Sequence, residues 1–135
     1  MLDTFIDRIR AAHAEGSPLI LQGGGSKTFY GNADEGEVLS TRALTGIVDY
    51  QPKELVLTAR AGTPLAEIEA ALAERNQMLA FEPPHFGGAA TLGGSIATGL
   101  SGPRRPYAGA ARDFVLGVRM IDGTGQPLRF GGQVI

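Results

Sequence analysis

The sequence predicts an α+β fold, and three features carry that expectation. Apolar residues recur at helical spacing near the N-terminus and again after Thr63. Short apolar runs bounded by glycine or proline lie between and beyond these helices, as buried strands do. Near the C-terminus, Asp122-Gly-Thr-Gly125 separates two runs that can pair as an antiparallel hairpin.

The first helix follows from Leu2, Phe5, Ile6 and Ile9 along one side, with Asp3 or Thr4 to cap it and Gly16 and Pro18 to stop it. Leu19, Ile20 and Leu21 then form a buried strand that runs into Gly23, Gly24 and Gly25, so a tight loop sits at the strand's C-terminal end. Val38 to Ser40, Gly46 to Tyr50 and Leu55 to Arg60 are short strands, with Pro52 between the last two. Thr63 as N-cap and Pro64 at the first helical position open a second helix, which runs to about Asn76 with Leu65, Ile68, Leu72 and Leu79 on one side. Pro83 and Pro84 break regular structure. From His85 to Gly102 glycine and small residues dominate, and a compact loop is expected rather than a long helix. Phe114 to Ile121 reads as a strand, and Leu128 to Phe130 returns antiparallel to it.

The totals narrow the function. A chain of 135 residues with 43% hydrophobic content supports one buried core. A formal net charge of −2 leaves no electrostatic footprint for nucleic acid or an anionic membrane surface. No apolar run reaches the ~18 residues that mark a membrane-spanning helix, so a cytoplasmic protein is expected. Without cysteine there is no disulfide, thiolate zinc site, iron–sulfur ligation or cysteine nucleophile in these residues. His13 and His85 have no recognisable carboxylate partners at ligand spacing, and no metal is expected; His13 reads as a helix-surface residue, His85 as a loop residue.

The 20 glycines are the compositional outlier, at about twice the usual share of roughly 7%. Three in a row at 23–25 let successive amides converge on an anion such as a diphosphate, with Ser26 and Lys27 adding a hydroxyl and a charge. The Walker phosphate motif fails because Lys27 follows Ser26, and the dinucleotide fingerprint fails because Thr28 stands where glycine is needed. Alone, the triplet is equally a tight turn that binds nothing. A second small-residue segment, Ala90 to Gly99, adds hydroxyls and amides at Thr91, Gly93, Gly94, Ser95 and Thr98, and two such loops point to one extended, diphosphate-containing ligand.

Four segments then occur in a telling order: Gln22-Gly-Gly-Gly-Ser-Lys27, Leu57-Thr-Ala-Arg-Ala-Gly-Thr-Pro-Leu65, Thr91-Leu-Gly-Gly-Ser-Ile-Ala-Thr98, and Arg112-Asp113 before Val115-Leu-Gly117. From Leu19 onward the chain resembles the vanillyl-alcohol-oxidase, or PCMH-type, FAD-binding domain. Leu100-Ser-Gly-Pro-Arg-Arg-Pro-Tyr107 and Phe130-Gly-Gly-Gln-Val134 are most similar to the E-type FAD-binding subunits of glycolate oxidase. The resemblance implies a small mixed α/β subdomain with parallel strands (residues 1–80), then the flavin loop and the start of a mainly antiparallel subdomain (81–135), with FAD held between the two. Relatives continue through a further flavin segment and a cap domain, so the resemblance implies the N-terminal part of one such domain, truncated. A partly built sheet leaves an unpaired edge, and the truncated chain is expected to self-associate.

By the same resemblance the amides of Gly23, Gly24, Gly25 and Ser26 meet the FAD pyrophosphate. Thr91, Gly93, Gly94, Ser95 and Thr98 line the flavin or its linker. Several relatives attach flavin through a histidine at the position that Ser26 occupies here, so non-covalent FAD is expected. The resemblance implies work in a glycolate-oxidising complex with a second flavin subunit and an iron–sulfur subunit, peripheral to the membrane through those partners if at all. Another 2-hydroxy acid dehydrogenase or an enolpyruvyl reductase shares the architecture, and a non-catalytic docking scaffold is the alternative from outside enzymology. No residue stands out as a catalytic base: His85 has no evident orienting partner, and Arg104 and Arg105 read as a solvated pair rather than a carboxylate clamp.

Overall fold

The computed structural model describes residues 2–25, 35–85, 89–99, 101–103 and 105–132. Helix α1 (Leu2–Glu15) buries Phe5 and half-buries Ile6 and Ile9, leaving His13 exposed. Strand β1 (Leu19–Gln22) pairs in parallel with β2 (Glu37–Ser40), Leu19 opposite Glu37 through Gln22 opposite Ser40. The ladder extends one step further, where Thr41 N donates to Gln22 O at 2.9 Å, so the chain after β2 lies beside the loop that leaves β1. An Arg8–Glu37 ion pair of 3.1 Å joins α1 to β2. At this exposure it contributes under about 1 kcal/mol.

Strands β3 (Ile47–Gln51) and β4 (Val56–Ala59) form an antiparallel pair, turned by a short 3-10 helix over Pro52–Glu54. Helix α2 (Leu65–Ala73) follows, with Leu65, Ile68 and Leu72 buried. Two details depart from the sequence expectation. The N-cap is Pro64, and Thr63 does not cap. Its buried hydroxyl instead accepts from Gly46 N at 2.9 Å and donates to Gly46 O at 3.2 Å, tying the entry of α2 to the start of β3. The helix also ends at Ala73 rather than Asn76. Asn76 takes a left-handed φ of 55° while Gln77 N donates back to Leu72 O at 2.9 Å, a closure that terminates the helix and satisfies its last carbonyls.

The small-residue segment contains a helix where a loop was expected. Helix α3 (Leu92–Thr98) is capped by the Thr91 hydroxyl, which accepts from Gly94 N at 3.2 Å. Its entry is fastened to the entry of α2 by main-chain bonds: Leu65 N to Ala90 O (2.9 Å), Leu92 N to Thr63 O (2.9 Å) and Gly93 N to Ala61 O (2.8 Å). Tertiary pairing has thus imposed a helix on a sequence with weak propensity for one. The core lies at this junction: Leu65, Ile68, Leu72, Phe81 and Ala90 are buried, and so are Thr63, Thr91 and Ser95.

A four-residue helix α4 (Arg105–Ala108) and a 3-10 turn over Ala111–Phe114 lead to β5 (Gly117–Ile121) and β6 (Pro127–Gly131), which pair antiparallel from Gly117 opposite Gly131 to Ile121 opposite Pro127. The hairpin is as expected, but Phe114 to Leu116 lie outside the strand. Asp113 Oδ2 accepts from Ala110 N at 2.9 Å and sets that 3-10 turn instead. At the hairpin tip Asp122 Oδ1 accepts from the Thr124 hydroxyl and from the amides of Thr124 and Gln126, and these bonds, the hydroxyl first, lower its pKa.

Candidate functional site

The structure brings the two glycine segments together. A Cβ on Gly23 would fall 2.4 Å from Thr91 Oγ1, and one on Gly24 would fall 1.5 Å from the Ala89 carbonyl oxygen. These positions are therefore filled by the neighbouring segment, so their lack of side chains serves loop-to-loop contact. Gly93 is in the same situation, its Cβ position lying 2.9 Å from both the Cβ and the oxygen of Ala61. Gly94 differs: among the described residues a Cβ there would meet Thr91 Oγ1 alone, at 3.3 Å.

On the other flank of the triplet lies Arg42, which sequence reasoning missed. Its Nε donates to Gly23 O and its Nη2 to Gly24 O, both at 3.1 Å. Among the described residues no peptide is cis, and in a trans peptide the N–H points opposite to the C=O. With both carbonyls turned toward the guanidinium, the amides of Gly24 and Gly25 point away from it. Among the described residues neither amide has an acceptor. Gly25 adopts φ 71°, a left-handed conformation of the kind that lets consecutive amides form an anion-binding concavity. Ser26 and Lys27 lie outside the described residues.

The second segment has a different chemistry from the one expected. The amides of Leu92, Gly93, Gly94 and Ser95 all donate within the protein, to Thr63 O, Ala61 O, the Thr91 hydroxyl and Thr91 O respectively. They are not available as an anion cradle. What this helix carries instead is hydroxyls. Thr98 Oγ1 donates to Gly94 O at 2.9 Å, and Ser95 Oγ is buried with no hydrogen-bond partner among the described residues. Beyond the exposed side of α3, Ile96 and Gly99 form a cleft of about 350 Å³ with Ala110, Ala111, Arg112 and Val115.

His85 has an orienting partner after all. Its Nε2 lies 3.0 Å from both carboxylate oxygens of Glu69 on α2, beside an open groove formed with Met78, Leu79 and Pro83. No local pattern reveals the pair, which is 16 residues apart in the chain and is brought together by the turn after α2. Among the described residues no group of three or more His, Cys, Asp or Glu is placed to hold a metal, and no helix is long and apolar enough to cross a membrane.

Comparison with known proteins gives the family. Residues 2–131 match the FAD binding domain family. The chain is 53% identical over 130 residues to the glycolate oxidase subunit GlcE of Escherichia coli K12, covering 96% of this chain and 37% of that protein. It is 32% identical to a D-lactate dehydrogenase of Archaeoglobus fulgidus and 31% identical to a D-2-hydroxyglutarate dehydrogenase of Xanthomonas citri, again over 94% of this chain but only 28% and 27% of those proteins. The chain thus spans little more than a third of the length of these relatives or less. Among solved structures, alkyldihydroxyacetonephosphate synthase superposes with a TM-score of 0.73 over 95% of this chain and 25% of that one. At 23% identity that likeness speaks for the fold, a PCMH-type FAD-binding architecture of mixed helix and sheet.

Proposed function

Because the chain belongs to the FAD binding domain family, we propose that the Gly23–Gly25 loop holds the diphosphate of FAD, in a protein that serves a complex oxidising glycolate or a related 2-hydroxy acid. The observation that carries the site is the pair of amides on Gly24 and Gly25, without an acceptor among the described residues, facing away from Arg42 and near the N-cap of α3. The residues present fit the cofactor. Two successive amides suit a diphosphate, the Ser95 hydroxyl has no partner among the described residues, and the cleft beside Ile96 and Gly99 suits a planar ring system.

Within this reading each residue has a limited task. Gly24 and Gly25, with the adjoining Ser26 and Lys27, bind the anion; Gly23 and Gly93 allow the two segments to approach; Thr91 caps α3; Gly94, Ser95 and Thr98 present the face nearest the bound dinucleotide. Bound flavin supplies the chemistry of accepting a hydride from a 2-hydroxy acid. Binding is non-covalent, with Ser26 at the position where some relatives carry a linking histidine. Residues 1–80 form the first subdomain and 81–135 the flavin segment and the beginning of the second. The 2-hydroxy acid class is supported by the names of three relatives, and glycolate by the one at 53% identity. Electrons leave through partner subunits, a second flavoprotein and an iron–sulfur protein, in the cytoplasm or at the membrane periphery.

Dye reduction tests this proposal. The full-length protein assembled with its partners is expected to reduce an artificial acceptor with glycolate. Residues 1–135 supplied with FAD are expected to stay at the free-FAD level, because the described residues include no evident clamp to hold a substrate carboxylate while hydride leaves its carbinol carbon. A complex that reduces dye with none of glycolate, D-lactate and D-2-hydroxyglutarate contradicts the substrate class. Turnover by residues 1–135 that disappears in His85→Ala would place catalysis here.

A further inference from the structure

We infer that Arg42 is a positioning residue for the dinucleotide site, fixing the two peptide planes whose amides bind the diphosphate without itself touching it. This rests on the reading of the 23–25 loop as the diphosphate site. A glycine triplet is the most flexible backbone a chain can present, so amides on it converge only if something outside the triplet holds them. The packed side of the loop holds the Cα positions, since Gly23 abuts Thr91 and Gly24 abuts Ala89. Contact at Cα leaves each peptide plane free to rotate. Arg42 removes that freedom, because its planar fork donates to two consecutive carbonyls at 3.1 Å each.

The fork is itself anchored at the root. Arg42 N donates to Ser40 Oγ at 3.3 Å, and the preceding residue is locked to the end of β1 by Thr41 N and Thr41 Oγ1, both donating to Gln22 O. The same sheet ladder thus delivers the loop and its clamp. A cation on the carbonyl side also polarises each peptide so that its N–H becomes a stronger donor on the far side. A lysine keeps the charge but, as a point donor on a flexible stem, cannot span two carbonyls in fixed geometry.

The test uses full-length protein labelled with [15N]glycine, and compares wild type, Arg42→Ala and Arg42→Lys in titrations with FAD, ADP and riboflavin. Both variants are expected to lose at least about tenfold in affinity for FAD and ADP alike, the scale of one charge-assisted hydrogen bond. Riboflavin, which has no diphosphate, should bind all three proteins equally. Millimolar guanidinium should restore part of the loss in Arg42→Ala where equal sodium chloride does not. Wild-type affinity for ADP in either variant, with the ADP-induced shifts of the Gly24 and Gly25 amides unchanged, overturns the role of Arg42. If ADP binds wild type and leaves those two amide signals unmoved, the reading of the loop as the diphosphate site is what fails.

Discussion

Gly24→Ala is expected to cost the protein about 3 kcal/mol or more of stability and to abolish FAD binding at micromolar concentration, while Gly94→Ala keeps the fold. The added methyl carbon at position 24 would lie 1.5 Å from the Ala89 oxygen and 2.5 Å from its carbonyl carbon. Both are backbone atoms that no rotamer change can move, so the two segments must separate, and overpacking of this kind typically costs ~1–3 kcal/mol even where side chains can yield. At position 94 the nearest atom is a threonine hydroxyl at 3.3 Å, which needs to give only slightly. Denaturant midpoints of the two full-length variants measure the contrast. A Gly24→Ala protein with the wild-type midpoint would show that the loops do not meet as described.

Phe81→Ala should remove about 3–4 kcal/mol, within the range usual for truncating a buried phenylalanine. Phe81 is 5% exposed, its ring centroid lies 5.6 Å from that of Phe114, and its carbonyl accepts from Gly102 N at 3.0 Å. It therefore fastens the segment after α3, and the cleft-lining residues 110–115, to the helical core. Phe114 is 42% exposed and adds less, so Phe114→Ala should cost well under half as much. Phe81→Leu should recover most of the loss by refilling the volume. Urea unfolding decides the matter: equal midpoints for Phe81→Ala and wild type would mean that the two segments are held by something else.

The pattern of what was legible follows from where the information lies. Helix α1, the strand before the triplet, the core face of α2 and the C-terminal hairpin rest on local periodicity and turn chemistry, which a single chain displays openly. Helix α3 was not legible, because Leu-Gly-Gly-Ser has poor helix propensity and its fixing bonds come from residues 61–65, about 30 positions earlier in the chain. That pairing takes the amide of Gly93, and those of Gly94 and Ser95 close the first turn of α3 on Thr91, whereas the sequence could only show all three as available. Thr63 resembles a cap because threonine before proline suits that place, yet the backbone of Gly46, just before β3, takes its hydroxyl instead. Arg42 and Glu69 carried no signal at all. Each is a single charged residue whose partner is defined by the fold, 18 or 19 positions away for Arg42 and 16 for Glu69.

The central claim is that this domain holds FAD non-covalently by its diphosphate, through the loop after β1. Calorimetric titration of flavin-stripped, full-length protein tests it most directly, with ADP as competitor and acid precipitation of the loaded protein as the companion step. One FAD should bind per loop, ADP should displace it, riboflavin should bind much more weakly, and all flavin should be released into the acid supernatant. Riboflavin bound as tightly as FAD, or flavin that stays with the washed, denatured protein, would contradict it.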